Sequence, residues 1–600
     1  MNQEKIRNVA IIAHVDHGKT TLVDQLFRQS GLFRSNQELT ERLMDSMDLE
    51  KERGITIMAK NGACQYKDHH INIIDTPGHA DFGGEVERVL NMADGAVFLV
   101  DAAEGPMPQS YFVLKKAISQ NIPVIVVVNK IDKPAARCEW VVDQVFDLLV
   151  SLHAPDNILD FPILYASSKE GYATYDFRHK TTDVFPIFDE IVRYIPSPKG
   201  NPDGSLQLLV SSISYSQFLG RLAIGKLTSG RVKVNQDIVV AKDDKVISSA
   251  KITKIYRFNA NQQVEIPSAV TGEVVAVAGM EDIRVGETIT DPLNPITLFS
   301  KPVDPPTISM KFLPNDSPFA GREGTYVTSR HIKERLYREL LSDVALQVED
   351  LTDEVGYKVS GRGELHLSIL IEKMRREGYE FQVSKTNVIY KELNGQKLEP
   401  YEDLTVDVSE ECMGRVIESL GSRKGQLLEI NQENDLSRLI YRIPTRGLLG
   451  YYSQFMTETK GLGTMSYVFA EYGAYTGEFK SRNNGVLITK ETCTTVAFAL
   501  FNLQDRGTLF MGPGIDIYAG QIIGESSREG DMVVNPAKGK KLTNMRASGS
   551  DEAVTLTPHR QLSLEQYISY IGDDELVEIT PKSIRLRKLY LDEIERKKNS

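Results

Sequence analysis

The chain has 600 residues, and its 82 acidic and 70 basic side chains leave a formal net charge of −12. This length predicts about four or five domains of ~100–200 residues each. The negative charge disfavours a protein that coats nucleic acid through its global charge, although it permits local basic patches. No apolar run approaches the ~20 residues of a membrane span, and the polar start MNQEKIRN lacks a signal-type apolar stretch. We therefore expect a cytoplasmic protein that makes no membrane contact. The dispersed cysteines predict reduced, mostly buried thiols.

A phosphate-binding loop is predicted near the start of the chain, in AHVDHGKTT at residues 13–21. A short apolar run precedes this sequence and a helical apolar pattern follows it, as the strand, turn and helix of such a loop require. The match to G-x-x-x-x-G-K-[ST] is imperfect because Ala13 occupies the first position. In such a loop the backbone N–H groups converge on the β-phosphate, Lys19 reaches the β and γ oxygens, and the Thr20 hydroxyl ligates Mg²⁺. The predicted nucleotide-binding residues of this loop are Asp16, His17, Gly18, Lys19, Thr20 and Thr21.

Two motifs further along the first segment supply the chemistry of a nucleotide switch. RGITI contains Thr56, whose hydroxyl and carbonyl could reach Mg²⁺ and the γ-phosphate. INIIDTPGH ends an apolar strand in Asp75, which is suited to hold a magnesium-bound water. The Gly78 N–H can then meet the γ-phosphate, and His79 can face the attacking water. We therefore predict that His79, Lys19, Gly78 and Thr56 are catalytic and that Thr20, Thr56 and Asp75 hold the metal ion.

Base recognition is predicted at two later strand ends. The Asp132 carboxylate in VIVVVNKID can accept hydrogen bonds from both N1–H and the exocyclic amine of guanine, whereas adenine offers no such pair of donors. GTP is therefore the predicted nucleotide. In YASSKEG a backbone N–H could reach guanine O6, and the Lys169 stem could pack on the base. The predicted base-binding residues are Asn129, Lys130, Asp132, Ser167, Ser168 and Lys169.

Hydrolysis of GTP requires mainly positioning and charge neutralisation, which Lys19, Mg²⁺ and the loop amides can provide. No arginine is clearly placed in the sequence as an internal finger. Slow intrinsic hydrolysis is therefore expected, together with a partner that accelerates it. The γ-phosphate would hold the loops of Thr56 and Gly78, and hydrolysis would release them.

The rest of the chain divides at proline- and glycine-rich breaks. IPSPKGNPDG, from residue 195, and DPLNPITLFSKPVDPP, from residue 291, flank alternating apolar and polar segments that predict a small β-barrel. Strand and helix patterns after residues 301 and 404 predict two split βαβ sandwiches. We therefore predict a multidomain α/β protein with a P-loop GTPase domain (residues 1–198), a β-barrel (199–300), two ferredoxin-like α+β sandwiches (301–393 and 394–479) and a mixed, β-rich C-terminal domain (480–600).

Local basic clusters are candidate RNA contacts, with a solvated surface as the alternative for each. The strongest is NPAKGKKLTNMR, a glycine-containing stretch without an acid, because such a loop can contact several phosphates. Arg585, Arg587 and Lys588 lie among acids instead, so we interpret them as part of a salt-bridged terminal helix. The candidate RNA contacts are Lys538, Lys540, Lys541 and Arg546 in that stretch and, more weakly, Arg423 and Lys424 in GSRKG and Arg446 in PTRG.

Together, AHVDHGKTT, RGITI, DTPGHADF, NKID and ASS resemble the motifs of the translational GTPases, among which the first loop position often tolerates alanine. The resemblance implies that Val15 and Ile55 form an apolar gate beside His79. It also implies that Asp16 is a loop carboxylate close to the phosphates and that ribosomal RNA sets His79 in place. Ser168 departs from the alanine that family members commonly have, but a backbone contact to the base would survive this change.

The resemblance extends over nearly the whole chain. GRLAIGKLTSG resembles the barrel that follows the GTPase domain, VSGRGELHL the third domain of translocase-type factors, and IPTRGLLGYYSQFMTETKGLG their fifth. Residues 391–404, which we interpret as a linker, leave no room for the translocase's fourth domain. A back-translocation factor has the same domain order, but LFMGPGIDIYAGQIIGESS and VVNPAKGKKLTNMRAS resemble the TypA/BipA ribosome-associated GTPases.

The TypA/BipA resemblance implies a GTPase that binds the ribosome in its GTP form and assists translation or subunit assembly under stress. It implies GTP/GDP and Mg²⁺ as ligands, ribosomal RNA of the A-site region as partner, tRNA as a further candidate partner, and a monomer. A metabolic GTPase of the sulfate-activating type is the alternative enzyme, and it would continue into a second barrel. A scaffold that binds GTP without turnover would require a damaged catalytic centre, whereas His79, Asp75 and Thr56 are intact.

Overall fold

The computed structural model describes residues 2–31, 48–53, 56, 59–77, 83–216, 219–299, 305–341, 343, 345–433, 436–478, 482, 484–538 and 555–599. The chain divides into one unit of Met1–Asp304, Leu341–Ala345 and Ser466–Val468, and a second of Pro305–Leu340, Leu346–Met465 and Phe469–Ser600. None of the helices in the described ranges combines the length and the apolarity that a membrane crossing requires. All four cysteines are free, and all but Cys493 are buried.

The first unit begins with a mainly parallel sheet between helices. Its strands are β1 (Ile6–Ala13), β2 (Lys60–Tyr66), β3 (His69–Asp75), β4 (Gly95–Asp101), β5 (Val124–Asn129), β6 (Ile163–Ser167) and β7 (Tyr172–Thr174). Its helices are α1 (Lys19–Gln29), α2 (Asp48–Arg53), α3 (Gly83–Leu90), α4 (Pro108–Ser119), α5 (Cys138–Ser151), α6 (Asp156–Leu159) and α7 (Phe185–Tyr194), after a short 3₁₀ helix, Gln3–Lys5.

The strand order of this sheet is β2-β3-β1-β4-β5-β6-β7. The strands from β3 to β6 are parallel, whereas β2 and β7 pair antiparallel at the two edges. Strands β4 and β5 are buried along their whole length because both faces of the sheet are covered, and separate apolar cores lie on its two sides. The strands predicted from the apolar runs before residue 13 and before residue 129 are thereby confirmed.

An antiparallel barrel completes the first unit, as predicted. Its strands are β8 (Gln207–Ser216), β9 (Gly220–Ser229), β10 (Arg231–Lys233), β11 (Asp237–Lys242), β12 (Lys245–Lys251), β13 (Lys254–Asn259), β14 (Gln262–Ile266), β15 (Ser268–Val270), β16 (Val274–Ala278) and β17 (Thr288–Thr290). The barrel packs on the first domain through an apolar cluster in which Val89 and Met92 meet Leu222 and Phe258. Val89 lies on α3, so this helix is anchored in the barrel interface.

The second unit starts with two ferredoxin-like sandwiches, as predicted. The first contains β18 (Ile308–Pro314), α8 (Ser329–Glu339), β19 (Gln347–Asp350), β20 (Tyr357–Gly361), α9 (Glu364–Arg376), β21 (Phe381–Ser384) and β22 (Asn387–Val388). The second contains β23 (Lys391–Leu393), β24 (Gln396–Ser409), α10 (Glu410–Ser422), β25 (Gln426–Glu433), β26 (Leu436–Pro444), α11 (Thr445–Leu448), α12 (Tyr451–Glu458) and β27 (Thr464–Ala474). Their main strand orders, β19-β20-β18-β21 and β25-β26-β24-β27, are equivalent.

The interpretation of residues 391–404 as a linker is wrong, because β23 and the start of β24 form a hairpin there. Its turn is Asn394–Gly395, with φ of 53° and 76°, and Asn-Gly is the dipeptide that tight hairpin turns favour because both residues need a positive φ. The segment is still too short to be a domain.

Most of the C-terminal strands extend the sheet of the first sandwich. The strands of this region are β28 (Val486–Thr489), β29 (Cys493–Thr494), β30 (Gly507–Leu509), β31 (Asp516–Ile517), β32 (Gln521–Ser526), β33 (Met532–Val534), β34 (Glu575–Ile579) and β35 (Ile584–Lys588), with helices α13 (Ala497–Gln504), α14 (Leu564–Tyr570) and α15 (Glu593–Asn599). Strands β29 and β31 pair only with each other, in a separate two-stranded sheet. Strand β34 pairs antiparallel with β21, which gives the continuous order β19-β20-β18-β21-β34-β35-β32-β28-β33. One apolar core therefore spans both regions.

The interpretation of Arg585, Arg587 and Lys588 as helical is also wrong. They lie on β35, where SIRLRK alternates polar and apolar residues as a strand does. Their pairing with acids is correct, since Arg585 contacts Glu578 at 3.1 Å and Lys588 contacts Glu575 at 2.8 Å. Only α15, further along, is the charged terminal helix.

Two buried carboxylates hold the loop between β18 and α8. Glu380 accepts hydrogen bonds from the Asn315 side chain (2.7 Å) and from the Gly321 and Gly324 N–H groups (2.8 and 2.9 Å). Glu578, on β34, accepts from Asn315 (3.0 Å) and from other loop and strand side chains. Both glutamates are fully buried. Buried carboxylates are stable only when donors saturate them, so the loop conformation depends on both glutamates.

We predict that Glu578→Leu lowers the free energy of unfolding by about 3–5 kcal/mol, because Ser317, Tyr518 and Arg585 all lose the carboxylate that they contact. Urea unfolding of the full chain measures the effect. The exposed Glu529 is a matched control, and its change to leucine should leave the transition in place. Equal stability of the Glu578 variant and the wild type would contradict this account of the loop.

Candidate nucleotide-binding site

The predicted nucleotide residues lie at the carboxyl ends of neighbouring parallel strands. Strand β1 ends at Ala13, β3 at Asp75, β5 at Asn129 and β6 at Ser167. Because parallel strands end at the same edge of a sheet, motifs more than a hundred residues apart in sequence meet there. Open α/β sheets bind ligands at this edge.

The phosphate-binding loop is shaped by its glycine. Gly18 has φ of +94° and is the N-cap of α1, and among the described residues no side chain caps that end. The first N–H groups of α1 are thus available to an anion, as in other phosphate sites at helix N-termini. A Cβ on Gly18 would lie 2.5 Å from Asn129 Nδ2, so the close approach of these two loops requires glycine. Asp16 is exposed with φ of 65°, Thr20 is half-buried, and Thr21 is exposed.

A buried lysine and a buried aspartate meet beside the loop. Lys19 Nζ lies 2.9 Å from Asp75 Oδ1 and donates a hydrogen bond to the Thr76 carbonyl. Among the described residues neither Asp75 oxygen has a hydrogen-bond partner of good geometry, although the carboxylate is fully buried. Such a carboxylate, with the Thr20 hydroxyl near the start of α1, has the hard oxygen chemistry that Mg²⁺ prefers. Thr56 is buried, whereas Gly78, His79 and Ile55 lie outside the described residues.

Two residues of the NKID motif donate hydrogen bonds to the phosphate-binding loop. Asn129 Nδ2 donates to the His17 carbonyl oxygen (2.8 Å) and Lys130 Nζ to the Asp16 carbonyl oxygen (2.5 Å). Asp132 is exposed at the end of the motif, so its carboxylate is open to a ligand. Asn129 and Lys130 thus position the loop, whereas Asp132 is free to face a base.

The segment of Ser167, Ser168 and Lys169 is hydrogen-bonded to the NKID motif. Ser168 donates to Asn129 Oδ1 through its N–H (3.0 Å) and through its hydroxyl (2.8 Å). The hydroxyl contact is one that alanine at this position could not make. Ser167 is buried and Lys169 is exposed.

The ring of His17 faces away from the open side of the loop. It is fully buried, and its Nδ1 accepts a hydrogen bond from the Asp101 N–H (3.3 Å). Asp101 itself is a residue that the sequence analysis missed. Burial raises the pKa of its carboxyl, but Lys130, the Ala103 N–H and Lys133 outweigh burial and lower the pKa to about 2. Its position as the last residue of β4 matches that of Asp75 on β3, and this signal could have identified it.

Two of the candidate RNA contacts are engaged inside the protein. Arg423 donates to the Gly447 carbonyl oxygen (2.9 Å), and its burial lowers the pKa of the guanidinium. Arg446 forms an ion pair with the fully buried Glu399. Lys424 and Lys538 are exposed, whereas Lys540, Lys541 and Arg546 lie outside the described residues.

We predict that Gly18→Ala raises the Kd for GDP about tenfold or more. The new Cβ displaces the Asn129 amide from the loop, and a positive φ costs a non-glycine residue about 1–3 kcal/mol. Gly31→Ala is the matched control, since Gly31 has φ of +78° but no described atom within 4 Å of the added Cβ. Fluorescent GDP titration distinguishes the two variants, and equal losses would mean that backbone strain alone explains the effect.

Comparisons with known proteins agree with this fold. Family models match for the elongation factor Tu GTP-binding domain at residues 4–197, elongation factor Tu domain 2 at 220–290, the elongation factor G C-terminus at 396–483 and the TypA/BipA C-terminal domain at 484–593. A crystal structure from Thermus thermophilus is similar in fold, with a TM-score of 0.54 at 17% identity over 79% of this chain and 98% of that one.

Relatives from several bacteria are similar over nearly their whole length, and each bears the name large ribosomal subunit assembly factor BipA. The Salmonella typhimurium protein is 51% identical, over 99% of this chain and 98% of its own. The Bacillus subtilis protein is 49% identical, over 99% and 97%. The Haemophilus influenzae protein is 50% identical, over 99% and 97%. Such identity over the full chain, together with the match at its C-terminal end, means that the chain belongs to the TypA/BipA family.

Proposed function

We propose that this protein is a GTPase that binds the ribosome and acts in assembly of the large subunit or in translation, as a stress-linked cytoplasmic factor. The main support for GTPase activity is the ion pair of Lys19 with Asp75 beside the phosphate-binding loop. Asn129 and Lys130 hold that loop in place by hydrogen bonds. The names of the full-length relatives support the ribosomal role. The ferredoxin-like units that follow the barrel, in place of a second barrel, disfavour the sulfate-activating alternative.

Nucleotide binding would change the partner of Lys19. Its ammonium now lies against Asp75, and phosphate oxygens are stronger partners for it because they carry more charge. Lys19 would then neutralise the β and γ oxygens while the loop N–H groups bind the β-phosphate. The released Asp75 carboxylate and the Thr20 hydroxyl would hold Mg²⁺, which supplies further charge neutralisation.

The catalytic residues would act by positioning. We assign the orientation of the attacking water to His79, and contacts to the γ-phosphate to Thr56 and the Gly78 N–H. Loss of the γ-phosphate would release both loops. Helix α3 follows the loop of Gly78, and its Val89 packs in the barrel interface. A movement of that loop would therefore be transmitted to the barrel.

The ribosome is the proposed activator, with ribosomal RNA of the A-site region as its contact and tRNA as a further candidate. Lys424 and Lys538 are exposed candidates for such contacts, and Lys540, Lys541 and Arg546 extend the second cluster. Because the net charge is −12, binding would depend on such local patches. We further propose that the protein acts as a monomer.

Asp132→Asn should weaken GTP binding by ~2–4 kcal/mol and favour xanthosine triphosphate, because the amide can donate to the carbonyl that replaces the guanine amine. Displacement of bound fluorescent GDP by GTP and by xanthosine triphosphate measures the preference. Asp143→Asn, at another exposed aspartate of the same domain, should retain guanine specificity. Unchanged GTP affinity in the Asp132 variant would remove this residue from base recognition.

His79→Ala should leave GTP binding nearly intact and lower ribosome-stimulated turnover by ~10²-fold or more, because only the positioning of water is lost. Phosphate release with and without purified ribosomes measures this effect and tests the proposed activity itself. His179→Ala, at a histidine that is 82% exposed, is the control. The proposal fails if ribosomes do not stimulate the wild type, and the role of His79 fails if its variant responds fully.

A further inference from the structure

One carboxylate oxygen joins both ends of the turn that carries Asp132. The Lys133 N–H donates to the Lys130 carbonyl oxygen (3.1 Å), so Asp132 occupies a central position of a four-residue turn. The side chains at the two ends of this turn both reach Asp101. Lys130 Nζ lies 2.8 Å and Lys133 Nζ 3.0 Å from the same atom, Asp101 Oδ2. The turn is thus closed by its backbone and again by its side chains.

Asp101 is itself firmly placed. It is the fully buried last residue of β4, and it lies opposite Asn129 in the parallel pairing of β4 with β5. Its second oxygen, Oδ1, accepts a hydrogen bond from the Ala103 N–H (2.8 Å), and its own N–H donates to His17 Nδ1 (3.3 Å). The carboxylate is therefore a fixed point to which the two lysines are attached.

The turn requires such a fixed point. Lys130 has φ of 62°, a left-handed conformation that is unfavourable for a residue other than glycine and persists only where the surroundings hold it. Asp132 is exposed, so the direction of its side chain follows that of the turn. A hydrogen bond weakens steeply as its angle departs from linearity. A small rotation of the turn would therefore cost Asp132 one of the two guanine donors.

The other contacts of the two lysines show what the loss of the Asp101 charge would do. Lys133 Nζ lies 3.9 Å from Glu104, a half-exposed carboxylate to which it would then turn. Lys130 would keep its hydrogen bond to the Asp16 carbonyl oxygen (2.5 Å) in the phosphate-binding loop. The attachment of the turn would be lost, whereas this contact to the loop would remain.

We infer that Asp101 is a positioning residue for base recognition, which holds the turn of Lys130 and Lys133 so that Asp132 can accept both guanine donors. The inference rests on the proposed binding of guanine nucleotides. Asp101 acts through the two lysines and not by contact with the base. Its loss should therefore weaken recognition of the guanine amine more than the binding of phosphate.

The test is the ratio of the Kd for inosine diphosphate to the Kd for GDP, measured by displacement of fluorescent GDP from the full chain. Inosine diphosphate has the same phosphates and the same N1–H but lacks the exocyclic amine, so this ratio reports the amine contact alone. Asp101→Asn should lower the ratio about fivefold or more, because an amide cannot hold two ammonium groups.

A milder variant tests the same attachment without touching a buried charge. Lys133 is 38% exposed, and Lys133→Met leaves Asp101 paired with Lys130. It should lower the ratio about two- to threefold, since one of the two ends of the turn is released. The double variant Asp101→Asn/Lys133→Met should not fall below Asp101→Asn alone, because both changes remove the same contact.

A buried ion pair of the same domain serves as control. Glu190, on α7, has a side chain that is only 1% exposed and pairs with Arg193, outside the nucleotide motifs. Glu190→Gln should leave the ratio at its wild-type value. Melting temperatures of all variants report losses of stability. A merely structural role for Asp101 would lower its melting temperature and weaken both nucleotides equally, which leaves the ratio unchanged.

The inference is wrong if folded Asp101→Asn keeps the wild-type ratio, or if the double variant is clearly worse than Asp101→Asn. A wild-type ratio in Lys133→Met also overturns it, and this result decides the question even if Asp101→Asn does not fold. A wild-type protein that binds no GDP, or that binds inosine diphosphate equally well, would contradict the proposed function and the role of Asp132 instead.

Discussion

The nucleotide site depends on the contact between the Asn129 amide and the phosphate-binding loop. Asn129 donates to the His17 carbonyl and accepts two hydrogen bonds from Ser168, so one side chain joins three strand ends. The amide occupies the volume that a side chain at residue 18 would need. The requirement for glycine is thus set by the base-binding motif as well as by the phosphate. These hydrogen bonds hold the loop in place from within the protein, which lowers the conformational entropy that binding must offset.

Several buried carboxylates of this protein are paired with a lysine or an arginine. Asp75, Asp101, Glu50 and Glu578 are each fully buried, and each faces a lysine or an arginine. Such pairs are costly to desolvate and add little net stability, but they exclude arrangements that leave a charge unpaired. Around the nucleotide site they determine which cation contacts which carboxylate.

The main sheet of the C-terminal region is continuous with the sheet of the first sandwich. Strand β34 joins the edge of β21, and Glu578 on β34 shares the Asn315 amide with Glu380. The third-domain loop between β18 and α8 therefore needs residues from the end of the chain. Since β34 covers an edge that would otherwise have unpaired backbone groups, the pairing also protects that sandwich from edge association.

Sequence periodicity and motifs by themselves determined the fold class, several strands and helices before residue 480, and the strand ends that carry nucleotide residues, because these features are local. The hairpin at Asn394–Gly395 was also local, and its turn dipeptide was overlooked. Only the tertiary structure decided which side chains pair. Arg423 and Arg446 lie in basic sequences typical of exposed RNA contacts, but both are engaged inside the protein. Arg585 pairs with Glu578 because β35 lies beside β34. The pairing of Lys130 and Lys133 with Asp101 arises from the register of β4 beside β5, which no local pattern encodes.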